Sequence, residues 1–225
     1  MTTAGKRTIS DGWLAVLIVL VILVVDQAIK IWVKTHLCLH ESIHVTDWFY
    51  ISFIENNGMA FGMSLGSKLL LSLFRVAAIV VLAWYIWRLV KRGAHTGYVV
   101  LLAMVLAGAA GNLIDCLFYG MIFNASSPAY VSYFVDFGTG YAPFLMGKVV
   151  DMFYFPLIES TWPQWVPWWG GEHFVFFSPV FNFADASISV SVVLMLLFYR
   201  SELSSLGSIS NSESQAKTSA DEVQE

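Results

Sequence analysis

Charged side chains are scarce in this 225-residue sequence: Asp, Glu, Lys and Arg make up 12% of it, whereas 57% of the residues are hydrophobic. This scarcity excludes an ordinary soluble domain, in which about a quarter of the residues are charged. Basic residues are not in excess, since the formal net charge is -4, and the sequence predicts no nucleic-acid partner. Cysteine is also rare, with only Cys38 and Cys116 present, so at most one intrachain disulfide could form.

Long apolar runs are what the sequence has instead. About 20 apolar residues cross the hydrocarbon core of a bilayer, and four runs approach that length: 13–33, 68–87, 98–117 and 183–199. The first run lacks a small-residue cleavage site, so we expect a permanent helix rather than a removable signal peptide. The fold class predicted is an all-α polytopic membrane protein with four transmembrane helices.

Basic residues near the ends of these runs predict the orientation, because cytoplasmic loops collect Lys and Arg. They are concentrated on one side of the membrane: Lys6, Arg7, Arg88, Lys91, Arg92 and Arg200. Both termini are therefore expected in the cytoplasm. The predicted organisation is one domain over residues 1–200 and a disordered cytoplasmic tail over 201–225, where serines and acidic residues predominate.

Two segments are expected on the outer side. Residues 45–53 are rich in β-branched and aromatic residues and precede Asn56-Asn57-Gly58, which predicts a small β-element at about 43–66. A long aromatic loop occupies about 120–180. Its Trp162, Trp165, Trp168 and Trp169 suit either the membrane interface, where tryptophan is favoured, or ordinary packing within an outer subdomain.

Aspartates within or beside the spans are the main functional candidates, because a carboxylate is costly in the membrane. Four of them fall toward the outer side: Asp26, Asp115, Asp151 and Asp185. They are expected to converge. Asn112 and Asn182 each precede an aspartate by three residues, a spacing at which each amide can orient its carboxylate on a helix.

A pair of such aspartates can hydrolyse a peptide without a metal or a covalent nucleophile. Two carboxyl groups about 3 Å apart in a low-dielectric cleft cannot both ionise, so one keeps a proton while the other acts as a base. The base deprotonates water, and the acid polarises the scissile carbonyl. The alternative role for these aspartates is structural, as partners of Lys30 or Lys148 that lock helices together.

Two other functions compete with an aspartyl peptidase. His40-Glu41-Ser42-Ile43-His44 matches the zinc-protease pattern, and His36 adds a third histidine at helical spacing. That pattern requires a helix, however, and the residues that follow it predict a strand. An ion-coupled carrier would use the same acids as a proton or cation site, although the internal repeats of many carriers are not evident here.

Other catalytic patterns are weak. No Ser or Cys lies in a setting typical of a nucleophile. The small residues of Gly108-Ala109-Ala110-Gly111 do not form a phosphate-binding loop and instead predict close helix packing.

Five segments, in order, resemble motifs of the prolipoprotein signal peptidases (signal peptidase II), and the resemblance covers nearly all of residues 12–200. The segments are Asp26-Gln27-Ala28-Ile29-Lys30, Glu55-Asn56-Asn57-Gly58-Met59-Ala60-Phe61-Gly62, Gly111-Asn112-Leu113-Ile114-Asp115, Val149-Val150-Asp151 and Phe181-Asn182-Phe183-Ala184-Asp185. The long loop resembles that of the extended Bacteroidetes-type members.

The resemblance implies an intramembrane aspartyl endopeptidase with Asp151 and Asp185 as the catalytic pair. It implies supporting or substrate-binding roles for a further set of residues: Asn56, Gly58, Asn112, Asp115, Asn182, Asp26 and Lys30. The substrate implied is a diacylglyceryl-modified prolipoprotein, cleaved before its lipidated cysteine. No metal or cofactor is implied, and a monomer in contact with membrane lipid is expected in the bacterial inner membrane, with the active site at the outer face.

Two features depart from the family pattern. The third motif usually continues with arginine, whereas this chain has Cys116, so the contact made by that arginine must be supplied by Lys148 or be absent. The loop over about 120–180 is also much longer than in most members, and we expect it to be a lid or an interfacial anchor.

Overall fold

A computed structural model describes residues 10–57 and 65–203. Within these ranges the helices are α1 (Asp11–His36), α2 (Leu65–Lys91), α3 (Thr96–Ile114), the short α4 (Gly120–Ile122) and α5 (Phe183–Phe198), with a π-helical turn (Asp115–Tyr119) between α3 and α4. The strands are β1 (Ser42–Thr46), β2 (Phe49–Asn56), β3 (Val149–Tyr154), β4 (Ile158–Thr161), β5 (His173–Phe176) and β6 (Val180–Phe181).

The helices make this a membrane protein. Three stretches in the described part of the chain are long and apolar enough to cross a bilayer: Asp11–His36, Lys68–Lys91 and Thr96–Ile122. Helix α5 is apolar but has 16 residues, which span about 24 Å, less than the roughly 30 Å hydrocarbon core. The expected helical membrane protein is confirmed, and the fourth span stays a prediction.

The label all-α is wrong, because a four-stranded antiparallel sheet with the order β1-β2-β3-β6 stands beside the helices. The strand expected at 45–53 belongs to a β1–β2 hairpin in which Ile43 lies opposite Ile51. The long loop supplies the other two strands, and Ile54 of β2 lies opposite Asp151 of β3. This pairing joins residues about a hundred positions apart, which local sequence patterns do not reveal.

Helix α3 is central to the bundle and packs against α1, α2 and α5. Its small residues allow this close approach, as predicted. A Cβ added at Gly108 would lie 2.6 Å from Cγ1 of Ile188, and one at Gly111 would lie 2.7 Å from Oδ2 of Asp26. Both glycines therefore bring α3 near enough to α1 and α5 for polar side chains to meet across the helices.

Strands β4 and β5 form a separate two-stranded hairpin within the long loop. The tryptophans around it are not packed in a core: Trp165 is 81% exposed and Trp168 is 90% exposed. Of the predicted tail, residues 201–203 are helical and the remainder lies outside the described residues, as does Gly58.

Candidate active site

The structure brings all four predicted aspartates into one hydrogen-bond network at the end of the bundle that adjoins the sheet. Asp26 lies on α1, Asp115 begins the π-helical turn, Asp151 lies on β3, and Asp185 lies in the first turn of α5. Each element thus contributes one carboxyl group. The rest of the network consists of side-chain amides and one lysine.

Lys30 is the cation of this network. Its Nζ lies 2.9 Å from Oδ2 of Asp26 and 2.9 Å from Oδ2 of Asp115, and all three side chains are fully buried. It also donates a 2.8 Å hydrogen bond to Oδ1 of Asn112. Asp26 and Asp115 therefore have the structural role considered above, because a buried carboxylate must be paired with a cation or hydrogen-bond donors.

Asp26 and Asp115 also hold backbone groups of the other elements. Oδ1 of Asp26 accepts a 2.9 Å hydrogen bond from the amide of Ala184 at the start of α5. Oδ2 of Asp115 accepts a 3.2 Å bond from the amide of Val150, the residue before Asp151. The two structural aspartates thus fix the backbone next to Asp151 and Asp185.

Gln27 is a member of the network to which sequence reasoning gave no role. Its Nε2 donates to Oδ1 of Asp115 at 2.9 Å, to Oδ2 of Asp26 at 3.1 Å and to the carbonyl of Gly111 at 3.2 Å, and its Oε1 accepts from Tyr119. Its place beside Asp26 in a matched motif was the available signal. The amide thus links the same two carboxylates that Lys30 joins.

The asparagines orient the remaining pair, but in a crossed arrangement. Sequence spacing predicted that Asn112 would orient Asp115 and that Asn182 would orient Asp185. Instead, Nδ2 of Asn112 donates a 2.7 Å bond to Oδ1 of Asp185, and Nδ2 of Asn182 donates a 2.6 Å bond to Oδ1 of Asp151. The reason is that both amides lie between elements, where they meet carboxylates from neighbouring segments.

The spacing of Asn182 and Asp185 has a second effect, because Asn182 is the N-cap of α5. Its Oδ1 accepts a 2.9 Å bond from the amide of Asp185, and the Asp185 carboxylate accepts in return from the amide of Asn182. This is a capping box. It sets the first turn of α5, and therefore the position of the Asp185 carboxyl group, relative to β3.

Asp151 is the carboxyl group best suited to hold a proton. Burial, with the nearby charge of Asp185 as the second cause, raises the pKa of Asp151 to about 7, although hydrogen bonds from Asn182 and Asn56 oppose the rise. Neither Asp151 nor Asp185 forms an ion pair with any residue in the described ranges. These two acids therefore differ from Asp26 and Asp115, which share Lys30 as an ion-pair partner.

A cleft of about 480 Å³ opens at Asp151. The ends of β2 and β3 form it, together with the segment before β6. Its lining comprises Ile54, Glu55, Asn56, Asn57, Asp151, Ser178 and Val180. Asp151 is therefore the one of the four aspartates that lines this cleft.

A second network, which sequence reasoning missed, is centred on Glu55 in the wall of the cleft. Lys34 is fully buried and pairs with Oε1 of Glu55, while Nζ of Lys148 lies 2.9 Å from Oε2. Burial alone would raise the pKa of Glu55, but the charge of Lys34 and hydrogen bonds from Lys34, Ser126 and Lys148 outweigh it and lower that pKa. Glu55 precedes Asn56, so these contacts fix the strand end that bears the Asn56 amide.

The histidines of the zinc-protease pattern do not share a helix. His36 ends α1, His40 lies in a turn with φ of 69°, and His44 lies on β1. Helical spacing is what would bring the two histidines of the pattern onto one metal. Because His44 is on a strand, the described residues do not have the geometry that this pattern needs.

Cys38 and Cys116 are both free thiols, so the one disulfide that the sequence would allow is not formed. Cys116 is buried and lies 3.2 Å from Nη1 of Arg75 on α2. Arg75 is another residue that sequence reasoning passed over. The signal that could have identified it is a cation inside an apolar run, which in a membrane helix indicates a functional role.

Known proteins resemble the chain over most of its length. The family model described as signal peptidase (SPase) II matches residues 18–200. The lipoprotein signal peptidase of Porphyromonas gingivalis is 50% identical over 190 residues, which cover 84% of each chain. That of Amoebophilus asiaticus is 36% identical over 194 residues, which cover 83% of this chain and 77% of the relative.

A solved structure, of a bacterial membrane enzyme determined by the in meso method at 1.9 Å resolution, is similar in fold. Its TM-score is 0.54 at 22% sequence identity, and the match covers 81% of this chain and 90% of that chain. The likeness in sequence is thus accompanied by a likeness in fold.

Proposed function

This chain belongs to the signal peptidase II family and is a lipoprotein signal peptidase, and we propose that Asp151 and Asp185 are its catalytic pair. The observation that carries this assignment is the partition of the four acids. Lys30 pairs with Asp26 and Asp115, whereas Asp151 and Asp185 interact with each other and with amide donors. A pair of acids that has no ion-pair partner in the described residues, with one member at a cleft, is suited to acid–base catalysis.

In the proposed reaction, Asp151 is the acid and Asp185 is the base. The Asp151 carboxyl donates a hydrogen bond to the oxygen of the scissile carbonyl, and the Asp185 carboxylate removes a proton from water, whose oxygen attacks the carbonyl carbon. The resulting tetrahedral intermediate collapses when Asp185 passes that proton to the leaving amine, which breaks the C–N bond, re-forms the carbonyl and returns both acids to their starting state. The amides of Asn112 and Asn182 hold the two carboxyl groups in position throughout.

The substrate we propose is a prolipoprotein already modified with diacylglycerol, cut immediately before the lipidated cysteine. Its lipid would remain in the bilayer while its polypeptide enters the cleft at Asp151. The direct test is to reconstitute the purified protein with matched precursors that do and do not carry diacylglycerol, and to locate the cut by mass spectrometry. Cleavage of the lipidated precursor alone, before its cysteine, is expected; equal cleavage of both would contradict the substrate assignment.

We also propose a bacterial inner-membrane location, a monomeric enzyme, four spans and cytoplasmic termini, with the active site at the outer face. The basic residues Arg88 and Lys91 at the end of α2, with Arg200 after α5, support this orientation. Helix α5 serves as the fourth span with help from the chain beyond it, since the amide of Leu203 donates to the carbonyl of Tyr199. Membrane-impermeant labelling of cysteines placed in loops on either side would test the orientation.

The exposed tryptophans of the β4–β5 hairpin are proposed to rest in the membrane interface, where their amphipathic rings are favoured. Ordinary packing, the other interpretation of these residues, is disfavoured by their exposure. Residues 155–179 contain Glu159 and Glu172 but no Lys or Arg. The contact would therefore depend on the rings rather than on attraction to anionic lipids.

A further inference from the structure

Arg75 is a cation within a membrane-spanning stretch, and its partners in the protein are few. It is partly buried on α2, inside the apolar stretch Lys68–Lys91. Within the described residues its guanidinium makes one hydrogen bond, from Nη1 to Sγ of Cys116, and no ion pair. A thiol is a weak acceptor, whereas a guanidinium has several N–H donors, so the residues that the structure describes leave most of its hydrogen-bonding capacity unused.

The neighbours of Arg75 on the same face of α2 indicate what it is placed to bind. Lys68 and Ser72 precede it by seven and three residues, a spacing that puts all three on one face of the helix. Nζ of Lys68 donates a 2.8 Å bond to the carbonyl of Met146, and Oγ of Ser72 donates a 3.1 Å bond to the carbonyl of Leu145. This face of α2 therefore binds main-chain carbonyls, and Arg75 is the position in the row without one.

The contact with Cys116 places the guanidinium beside the catalytic network. Cys116 directly follows Asp115, which binds the amide of Val150, and the carbonyl of Cys116 accepts a 2.9 Å bond from the amide of Gly147. Both bonded amides belong to the segment that leads into Asp151. Arg75 thus lies beside the residue whose backbone holds the segment that leads into Asp151.

Lys148 is the other cation that could take the place of an arginine at position 116, and it is already engaged. Its Nζ binds Oε2 of Glu55 at 2.9 Å, and it lies over the ring of Tyr141. The guanidinium of Arg75 is therefore the available cation next to Cys116.

We infer that Arg75 is a substrate-binding residue whose guanidinium holds a main-chain carbonyl oxygen of the lipoprotein precursor, replacing from α2 the arginine that Cys116 displaces from α3. The inference rests on the proposed function, because it needs a polypeptide substrate at Asp151. It predicts that a guanidinium is needed at this place and that either helix can supply it.

The experiment removes the guanidinium from α2 or moves it to position 116, and measures steady-state kinetics on a lipidated precursor in reconstituted membranes. Arg75→Met removes the guanidinium while leaving an apolar side chain of similar length, which suits a membrane span. Arg75→Gln, which is shorter and polar, is a second variant with the same expectation. Each should raise KM at least about tenfold, since a hydrogen bond from a charged group contributes that much binding.

The decisive variant is Arg75→Met combined with Cys116→Arg, which should restore KM to within about threefold of wild type. Arg88→Met is the matched control, because it removes a guanidinium from the same helix at its other end, where Arg88 lies over the ring of Trp84. Its KM should not change.

A KM within about twofold of wild type for both single Arg75 variants would overturn the inference. A double variant that has the melting temperature of wild type but keeps the raised KM would also overturn it. Failure of wild type to cleave the precursor would instead refute the proposed function, so the two failures are distinguishable.

Discussion

Lys30 shows how single residues determine which aspartates are free to react. One ammonium group faces two buried carboxylates and one amide oxygen, and its three donors match those three acceptors. Asp26 and Asp115 are thereby tied to one cation between α1 and the end of α3. Asp151 and Asp185 instead accept hydrogen bonds from side-chain amides, which orient the two carboxyl groups without bringing a positive charge.

The pH dependence of activity should report the proton on Asp151. The pKa of Asp151 is raised to about 7, mainly by burial and then by Asp185, so this group is protonated below that pH and loses its proton above it. If Asp151 is the acid, kcat/KM falls as the pH rises through about 7. A pH profile of kcat/KM on a lipidated precursor measures this fall, which is the alkaline limb of the profile.

Asn56→Ala should move that limb in a defined direction. The hydrogen bond from Asn56 favours the ionised form of Asp151 and lowers its pKa, so its removal raises the pKa. Because a hydrogen bond contributes about 1 kcal/mol, the limb should move up by about 0.7 pH unit. Asn57→Ala removes the neighbouring amide and should leave the limb in place; a limb that moves down in Asn56→Ala would contradict the role of Asp151.

At the scale of elements, the approach of α3 to α1 holds the network together. Gly111→Ala would place a methyl group 2.7 Å from Oδ2 of Asp26, the oxygen that binds Lys30. Either α3 moves away or the Asp26–Lys30 pair separates, and both displace Asn112. We expect a loss of activity of at least about tenfold, equivalent to about 1.4 kcal/mol in the barrier, measured as kcat/KM.

Gly12→Ala is the matched control for this change. The added methyl group on α1 would lie 3.6 Å from Cγ1 of Val90, an ordinary contact distance, and alanine is favoured over glycine within a helix. The control should keep wild-type activity. Wild-type activity in Gly111→Ala as well would show that close packing at Asp26 is not needed.

The β4–β5 hairpin provides an independent test at this scale. In reconstituted membranes, brominated lipids quench tryptophans that lie in the bilayer, and iodide quenches those in water. Trp165→Phe and Trp168→Phe should each reduce the emission that brominated lipids quench. Quenching by these lipids should not depend on salt concentration, because the segment lacks basic residues. Loss of iodide-quenched emission instead would place the hairpin in water.

The elements also show what sequence patterns can and cannot predict. Long apolar runs identified the helices, and the Asn182–Asp185 spacing correctly indicated a local contact, because both are properties of neighbouring residues. The pairing of β2 with β3, the crossed amides and the Lys34–Glu55–Lys148 network join distant segments, and no local pattern encodes them. Selection of Asp151 and Asp185 from four acids required the family resemblance, and Arg75 became recognisable only through its contact with Cys116.

The whole molecule is a membrane-embedded helix bundle that carries a small sheet at one end. The helices contribute Asp26, Lys30 and Asp185, and the sheet contributes Asp151 and Asn56, so neither part forms the site alone. The extended loop also contributes to the site, because its Ser126 and Lys148 bind Glu55, which lines the cleft. Its first part is a structural support, and the hairpin is the portion left free to contact the membrane.

The roles of Asp151 and Asp185 as catalytic acid and base are tested by the turnover of a lipidated precursor by Asp151→Asn and Asp185→Asn in reconstituted membranes. Each change keeps the shape of the side chain but removes its acid–base chemistry, so each should lower kcat by about a thousandfold while the protein melts with wild type. Asp136→Asn, at an exposed aspartate in the long loop, should be fully active. Normal turnover by either catalytic-pair variant, in a protein that remains folded, would contradict the assignment of Asp151 and Asp185.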